Sequence, residues 1–104
     1  MLQKWIALLH VRPMSPAAPL SDGAVGAYGS VAGLANTEGE YRKLVEATLN
    51  ADDLSVLEWE NVQTEEAYRV QGLLSPYLEG LLAALSDQRP VQLHTFYNYR
   101  NDDA

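Results

Sequence analysis

Apolar residues follow two different periods along this chain, and the changes of period predict its helices and strands. The clearest helix is predicted over 37–50, where Tyr41 and Val45 recur at helical spacing. Thr37, with Glu40 three residues later, forms a capping box that sets the start of this helix. Because strand-like alternation lies on both sides of it, the chain is predicted to be a mixed α/β domain.

Alternation with a period of two predicts four strands, at 3–12, 24–35, 54–62 and 91–99. In the first, Trp5, Ala7, Leu9 and Val11 share one face. Its other face carries Lys4, Ile6, Leu8, His10 and Arg12. Since both faces are apolar in the middle, we expect a central strand that is covered on both sides. In the second strand, the glycines predict either that another element packs close to the backbone or that the strand contains a bulge.

The second half of the chain predicts one further helix and a mixed sheet. Ser75 can cap this helix, and Pro76 suits its first position. Residues 63–74 are predicted to be loop with some helix, so the order is ββαβ(loop)αβ. Strand–helix–strand crossovers predict parallel pairs between the second and third and between the third and fourth strands. We expect an α+β two-layer sandwich of roughly ferredoxin-like size, with about four strands and two helices on one face.

Length and composition predict a single domain over 1–104, with a Pro-rich loop at 13–23 and a polar tail at 100–104. The chain has no cysteine, which excludes thiolate nucleophiles and Cys-ligated metals. Its first residues lack the pattern of a signal peptide, and no apolar run reaches the length of a bilayer. By default we therefore expect a cytoplasmic protein. A bacterial source is expected as part of the leading hypothesis below.

The excess of acidic residues in the chain limits the classes of partner that it is expected to bind. The formal net charge of −7 counts against nucleic acid and against anionic membranes, because both are bound mainly by Lys and Arg. Glu58 and Glu60 share one face of the third strand, which predicts that this face is wet or lies near an edge. A solvated acidic face is one interpretation, and a docking surface for a basic protein is the other. The predicted partner-binding residues are Asp52, Asp53, Glu58, Glu60, Glu65 and Glu66.

Histidines and aromatic residues supply the candidates for a pocket. If the first and last strands were neighbours, His10 and His94 could meet, and with a carboxylate they could hold zinc or non-haem iron. The chain lacks ligand spacing for such a site, so no metal and no cofactor are predicted. The glycine spacing fits neither the dinucleotide fingerprint nor the P-loop, and no serine lies in a nucleophile elbow. The candidate pocket residues are His10, Tyr28, Trp59, His94 and Tyr97.

Large rings at Phe96, Tyr97 and Tyr99 occupy both faces of the last predicted strand. Since both faces cannot be open to water at low cost, a homodimer through the aromatic sheet face is predicted. The leading hypothesis is a small non-enzymatic protein-binding domain that self-associates and binds a basic protein. The alternative is a small-molecule binder or enzyme with a pocket between sheet and helices.

Two family resemblances accompany these hypotheses. The small acidic α+β build resembles immunity proteins of bacterial toxin systems, which implies a protein-binding role like theirs or that of an adaptor. The opening strand WIALLHVRP resembles that of dimeric α+β-barrel monooxygenases, although a Pro-rich loop follows it here where that family has a helix. Neither resemblance assigns a site residue.

Overall fold

The computed structural model describes residues 2–14 and 26–93, together with the backbone of 97–99. It is a small α+β domain, as predicted, with three helices within the described part. Residues 15–23 of the predicted Pro-rich loop lie outside the described residues, and so does the predicted tail at 100–104. The elements are β1 (Gln3–Pro13), β2 (Gly26–Ala35), α1 (Glu38–Asn50), β3 (Leu54–Thr64), α2 (Glu65–Val70), α3 (Pro76–Ala83), β4 (Val91–Leu93) and β5 (Tyr97–Tyr99).

Every described strand pair is antiparallel, so the predicted mixed sheet is wrong. The order is β3-β1-β2-β4, and β5 also pairs with β2. The first two strands, β1 and β2, are antiparallel neighbours. The crossover through α1 does leave β2 and β3 pointing the same way. However, β1 lies between them and pairs with both, so the two strands are not neighbours.

Helix α1 covers the first face of the sheet. The capping box is confirmed, since Thr37 Oγ1 accepts a hydrogen bond from the backbone N–H of Glu40 at 3.2 Å. The buried face of the helix, with Tyr41, Val45 and Leu49, packs on Ala7, Leu9 and Val11 of β1 and on the same face of β2. The ring of Tyr41 lies so close to Gly33 that a Cβ there would be 2.8 Å from its Cδ1. The prediction of close approach in this strand is therefore confirmed at Gly33.

Helices α2 and α3 cover part of the opposite face. Ile6 and Ala32 pack there with Tyr68 from α2 and Leu82 from α3, in a second apolar cluster. The two helices predicted from the sequence correspond to α1 and α3, and they lie on opposite faces. The prediction that they share one face is thus wrong, because β1 is apolar on both faces and each face needs a cover. None of the three described helices is both long enough and apolar enough to cross a bilayer.

Candidate functional site

The described helices cover only about half of the second face of the sheet. Near Ile6, the α2 and α3 side chains bury it, whereas farther along β1 the side chains of Leu8 and His10 are only half-buried. Strand register places Ser30 opposite Leu8 and Tyr28 opposite His10 on β2. On β3, Glu60 lies opposite Leu8 and Glu58 opposite His10. We call this surface the open half-face; its residues are Leu8, His10, Tyr28, Ser30, Glu58 and Glu60.

An aromatic pair lies at the centre of the open half-face. The rings of His10 and Tyr28 stack with their centroids 4.3 Å apart and their planes 12° apart. Because directly opposed residues on antiparallel strands lie about 5 Å apart, the stack follows from the strand register. Tyr28 is 43% exposed, and His10 is half-buried. The pair therefore presents part of an ordered aromatic stack to solvent.

Two carboxylates flank this pair on β3, at the edge of the sheet. Glu58 and Glu60 are exposed, and β3 lies at one end of the described strand order. The prediction that this face of the strand is wet or lies near an edge is therefore confirmed. Among the described residues, ion pairs join Arg42 to Glu38, and Arg69 to Glu65 and Glu79. None of these pairs involves Glu58 or Glu60, so both charges face solvent within the described part of the chain.

Irregularities in β3 bracket these carboxylates. The register with β1 shifts between His10 and Val11, and it shifts again between Ile6 and Leu8. Asn61, at the second shift, has a φ of 52°, in the left-handed region that asparagine tolerates better than most residues. The Tyr68 hydroxyl donates a hydrogen bond to the Asn61 carbonyl at 2.8 Å. Helix α2 thereby anchors the bulge that ends the open half-face.

Three of the predicted pocket residues have described side chains, and these three do not share one face of the sheet. His10 and Tyr28 meet, but Trp59 lies on the opposite face, where its ring contacts Tyr41 edge-on at 5.9 Å and the Arg42 guanidinium lies 4.9 Å above it. Strand pairing places Tyr97 opposite Tyr28, although the side chain of Tyr97 lies outside the described part.

The metal site suggested for His10 and His94 required the first and last strands to be neighbours. His94 lies outside the described residues, and β2 separates β1 from both β4 and β5. The first and last strands are therefore not neighbours. Within the described part of the chain, no group of three or more His, Asp or Glu side chains is placed to hold a metal ion.

The predicted acidic residues fall into three separate places. Asp52 and Asp53 lie in the turn before β3, and Glu65 and Glu66 lie in the first turn of α2, after β3. An eleven-residue strand separates these two pairs by roughly 30 Å. Only the third pair, formed by Glu58 and Glu60 between them, adjoins the aromatic residues.

The buried ionisable groups serve packing. Burial raises the pKa of Tyr41, and it raises the pKa of Tyr68 as well. The Tyr41 hydroxyl donates to the Val31 carbonyl at 2.7 Å, so both phenols are held in their protonated form by burial and by a backbone acceptor. No buried side-chain N or O atom among the described residues lacks a hydrogen-bond partner. These groups stabilise the two cores.

Sequence reasoning missed two members of the open half-face, Leu8 and Ser30. The alternation in β1 already placed Leu8 beside His10, so this signal was present in the sequence. The signal for Ser30 required the register between β1 and β2, which links residues 22 positions apart in the chain.

No family model, no curated protein and no solved structure matches this chain. The likeness in size to ferredoxin-like domains and the two family resemblances therefore stay predictions. The geometry of the open half-face is what supports a function.

Proposed function

We propose that the chain is a small protein-binding domain that docks its partner on the open half-face. The observation that carries this proposal is the His10–Tyr28 stack on a part of the sheet that no described helix covers. Tyrosine is enriched at protein interfaces, since it offers apolar area together with a hydroxyl for hydrogen bonding. Two cross-strand rings are ordered before binding, which lowers the entropic cost of docking.

The distribution of apolar side chains favours binding over a pocket between sheet and helices. On the first face, Tyr41, Val45 and Leu49 fill the space between α1 and the sheet, and all three are fully buried. On the second face, the described helices bury one half and do not reach the other. Trp59 lies on the opposite face from His10, which counts against a single cavity lined by both.

Site-specific cross-linking tests this proposal directly. A photoreactive phenylalanine analogue replaces Tyr28 in the full chain, and the same analogue replaces Ala47 as the control, since Ala47 is exposed on α1. In cells of the source organism, we expect a discrete cross-linked protein from position 28 that does not form from position 47. Mass spectrometry of the adduct then identifies the partner and the peptide contacted.

Each outcome of the cross-linking experiment separates two hypotheses. An adduct between two copies of the chain would assign the open half-face to the predicted homodimer in place of a foreign partner. Equal adducts from both positions, or none from position 28, would refute docking on this surface. Sedimentation velocity of the purified chain gives an independent measurement of whether it self-associates.

A further inference from the structure

We infer that the partner docks a basic, extended segment on the open half-face, with lysine or arginine side chains facing Glu58 and Glu60. This inference rests on the proposed function and specifies the chemistry of the partner. It starts from charge: within the described residues, neither carboxylate has a cation at ion-pair distance, while Glu38, Glu65 and Glu79 each have one. A basic partner would supply the missing opposite charge.

The spacing of the two carboxylates favours an extended segment. Glu58 and Glu60 are two residues apart on one strand and point to the same face, so their Cα atoms are about 7 Å apart. In an extended partner, basic residues at alternate positions have the same separation. Across the sheet, Glu60 lies opposite Leu8 and Glu58 opposite His10. Apolar parts of the same segment can therefore contact Leu8 and the stacked rings while the cations reach the carboxylates.

A second copy of the chain fits this surface less well. A two-fold contact presents the same patch from both subunits. It would bring a second Glu58 and Glu60 to an interface that already holds this pair. In a chain of net charge −7, such a contact places like charges close together, which disfavours association. The charge on the open half-face thus selects a cationic partner.

Protection of the sheet edge is the competing explanation for the same carboxylates. Charged residues and bulges on an edge strand prevent another chain from pairing with it, and β3 has both. Edge protection requires only that the charges exist, whereas docking requires that a cation bind at them. A binding measurement with charge-neutral variants therefore separates the two explanations.

The experiment uses the full chain labelled with ¹⁵N and two short blocked peptides. One peptide carries lysine at alternate positions, with leucine between, and the other carries glutamate in place of lysine. At low salt, we expect the lysine peptide to shift the amide signals of Leu8, His10 and Tyr28, and we expect the glutamate peptide to leave them unchanged. Binding should weaken as salt is added, since screening acts on exposed charges.

Matched double variants test which carboxylates bind. Glu58→Gln with Glu60→Gln should weaken the lysine peptide by roughly three- to tenfold. Glu65→Gln with Glu66→Gln removes the same net charge elsewhere and should change the affinity by less than about twofold. Equal losses in both variants would show general attraction to an acidic protein and would overturn the inference. Signal shifts outside the open half-face would also overturn the inference. Unchanged binding in the first variant together with increased aggregation would overturn it too, and would favour edge protection.

The cross-linking result keeps this inference separate from the proposed function. A foreign partner cross-linked at position 28 to the same extent in the Glu58→Gln, Glu60→Gln background would leave protein binding intact and refute a cationic segment. The absence of any adduct from position 28 would refute the proposed function itself, whatever the lysine peptide does.

Discussion

The contact between Tyr41 and Gly33 makes a sharp prediction about stability. A Cβ at Gly33 would lie 2.8 Å from Cδ1 and 2.9 Å from Cε1 of the Tyr41 ring, against about 3.5–4 Å for carbon atoms in favourable contact. The substitution Gly33→Ala therefore forces the ring or the strand to move by more than half an ångström, as the difference between these distances implies.

The ring of Tyr41 has little freedom to move. Its hydroxyl is fixed to the Val31 carbonyl at 2.7 Å, and its centroid lies 6.2 Å from that of Trp5 and 5.9 Å from that of Trp59. Overpacking in a rigid core costs about 1–3 kcal/mol, and replacing a strand glycine returns about 0.5–1 kcal/mol. We expect Gly33→Ala to lower the free energy of unfolding by about 1–2 kcal/mol and the Tm by roughly 5–15 °C.

Equilibrium urea unfolding measures this change, with tryptophan fluorescence as the signal because Trp5 and Trp59 both contact the Tyr41 ring. Gly80→Ala is the matched control. A Cβ at Gly80 meets nothing within 4 Å, and Gly80 lies inside α3. This control should stabilise the chain by about 0.5–1 kcal/mol, since alanine favours a helix over glycine.

A double-mutant cycle assigns the cost to the ring. Tyr41→Leu destabilises the chain by itself, but it removes the atoms that an alanine at position 33 would meet. In that background, Gly33→Ala should therefore cost at least about 1 kcal/mol less than in the natural chain. The reasoning is refuted if Gly33→Ala behaves like Gly80→Ala, or if its cost is the same in both backgrounds.

Three further predictions concern the cap, the bulge and the buried phenols. Thr37→Ala should lower the free energy of unfolding by about 1 kcal/mol through loss of the helix cap, as urea unfolding can measure. Asn61→Gly should be close to neutral, whereas Asn61→Val should destabilise by about 1–2 kcal/mol because a β-branched residue resists positive φ; equal values for the two variants would contradict this. Folding raises the pKa of Tyr41 and Tyr68, so the native chain holds these protons more tightly than the unfolded chain. Its stability should therefore fall as the pH rises above about 10, the ordinary tyrosine pKa. Urea unfolding across this pH range should show a flatter decline for Tyr41→Phe, and an equally steep one would refute the assignment.

Local signals in the sequence predict the elements well. The capping box at Thr37 and the pair Ser75-Pro76 set the starts of two helices, and both starts are confirmed. Thr64 caps α2 in the same way, by accepting from the backbone N–H of Ala67 at 3.2 Å. That helix lies in a region predicted to be loop with some helix. Its six residues are too few to show a clear apolar period, which explains the weaker signal.

Pairing between strands is harder to predict, because it depends on contacts between distant residues. The crossover rule gives the relative direction of β2 and β3, but it does not say whether another strand lies between them. The apolar residues on both faces of β1 already indicated a central strand. With β1 between its two partners, the helices that follow could be distributed over both faces, which the connection order alone does not reveal.

The candidate site could be predicted only in part for the same reason. The alternation in β1 and β3 placed His10 on one face and paired Glu58 with Glu60. Their juxtaposition arises from the register of β1 with β3, and the ring stack arises from the register of β1 with β2. A bulge moves every later side chain relative to its neighbour strand, and nothing in the local sequence around Asn61 fixes its position without β1 alongside.

The two shifts in β3 also limit how copies of this chain can combine through their sheets. A sheet has two edges, and here one of them carries bulges and negative charges that oppose the approach of another backbone. Pairing of strands between copies of the chain through this edge is therefore disfavoured. An open-ended fibril of native sheets would use both edges of every molecule, so the charges and bulges on β3 oppose its growth as well.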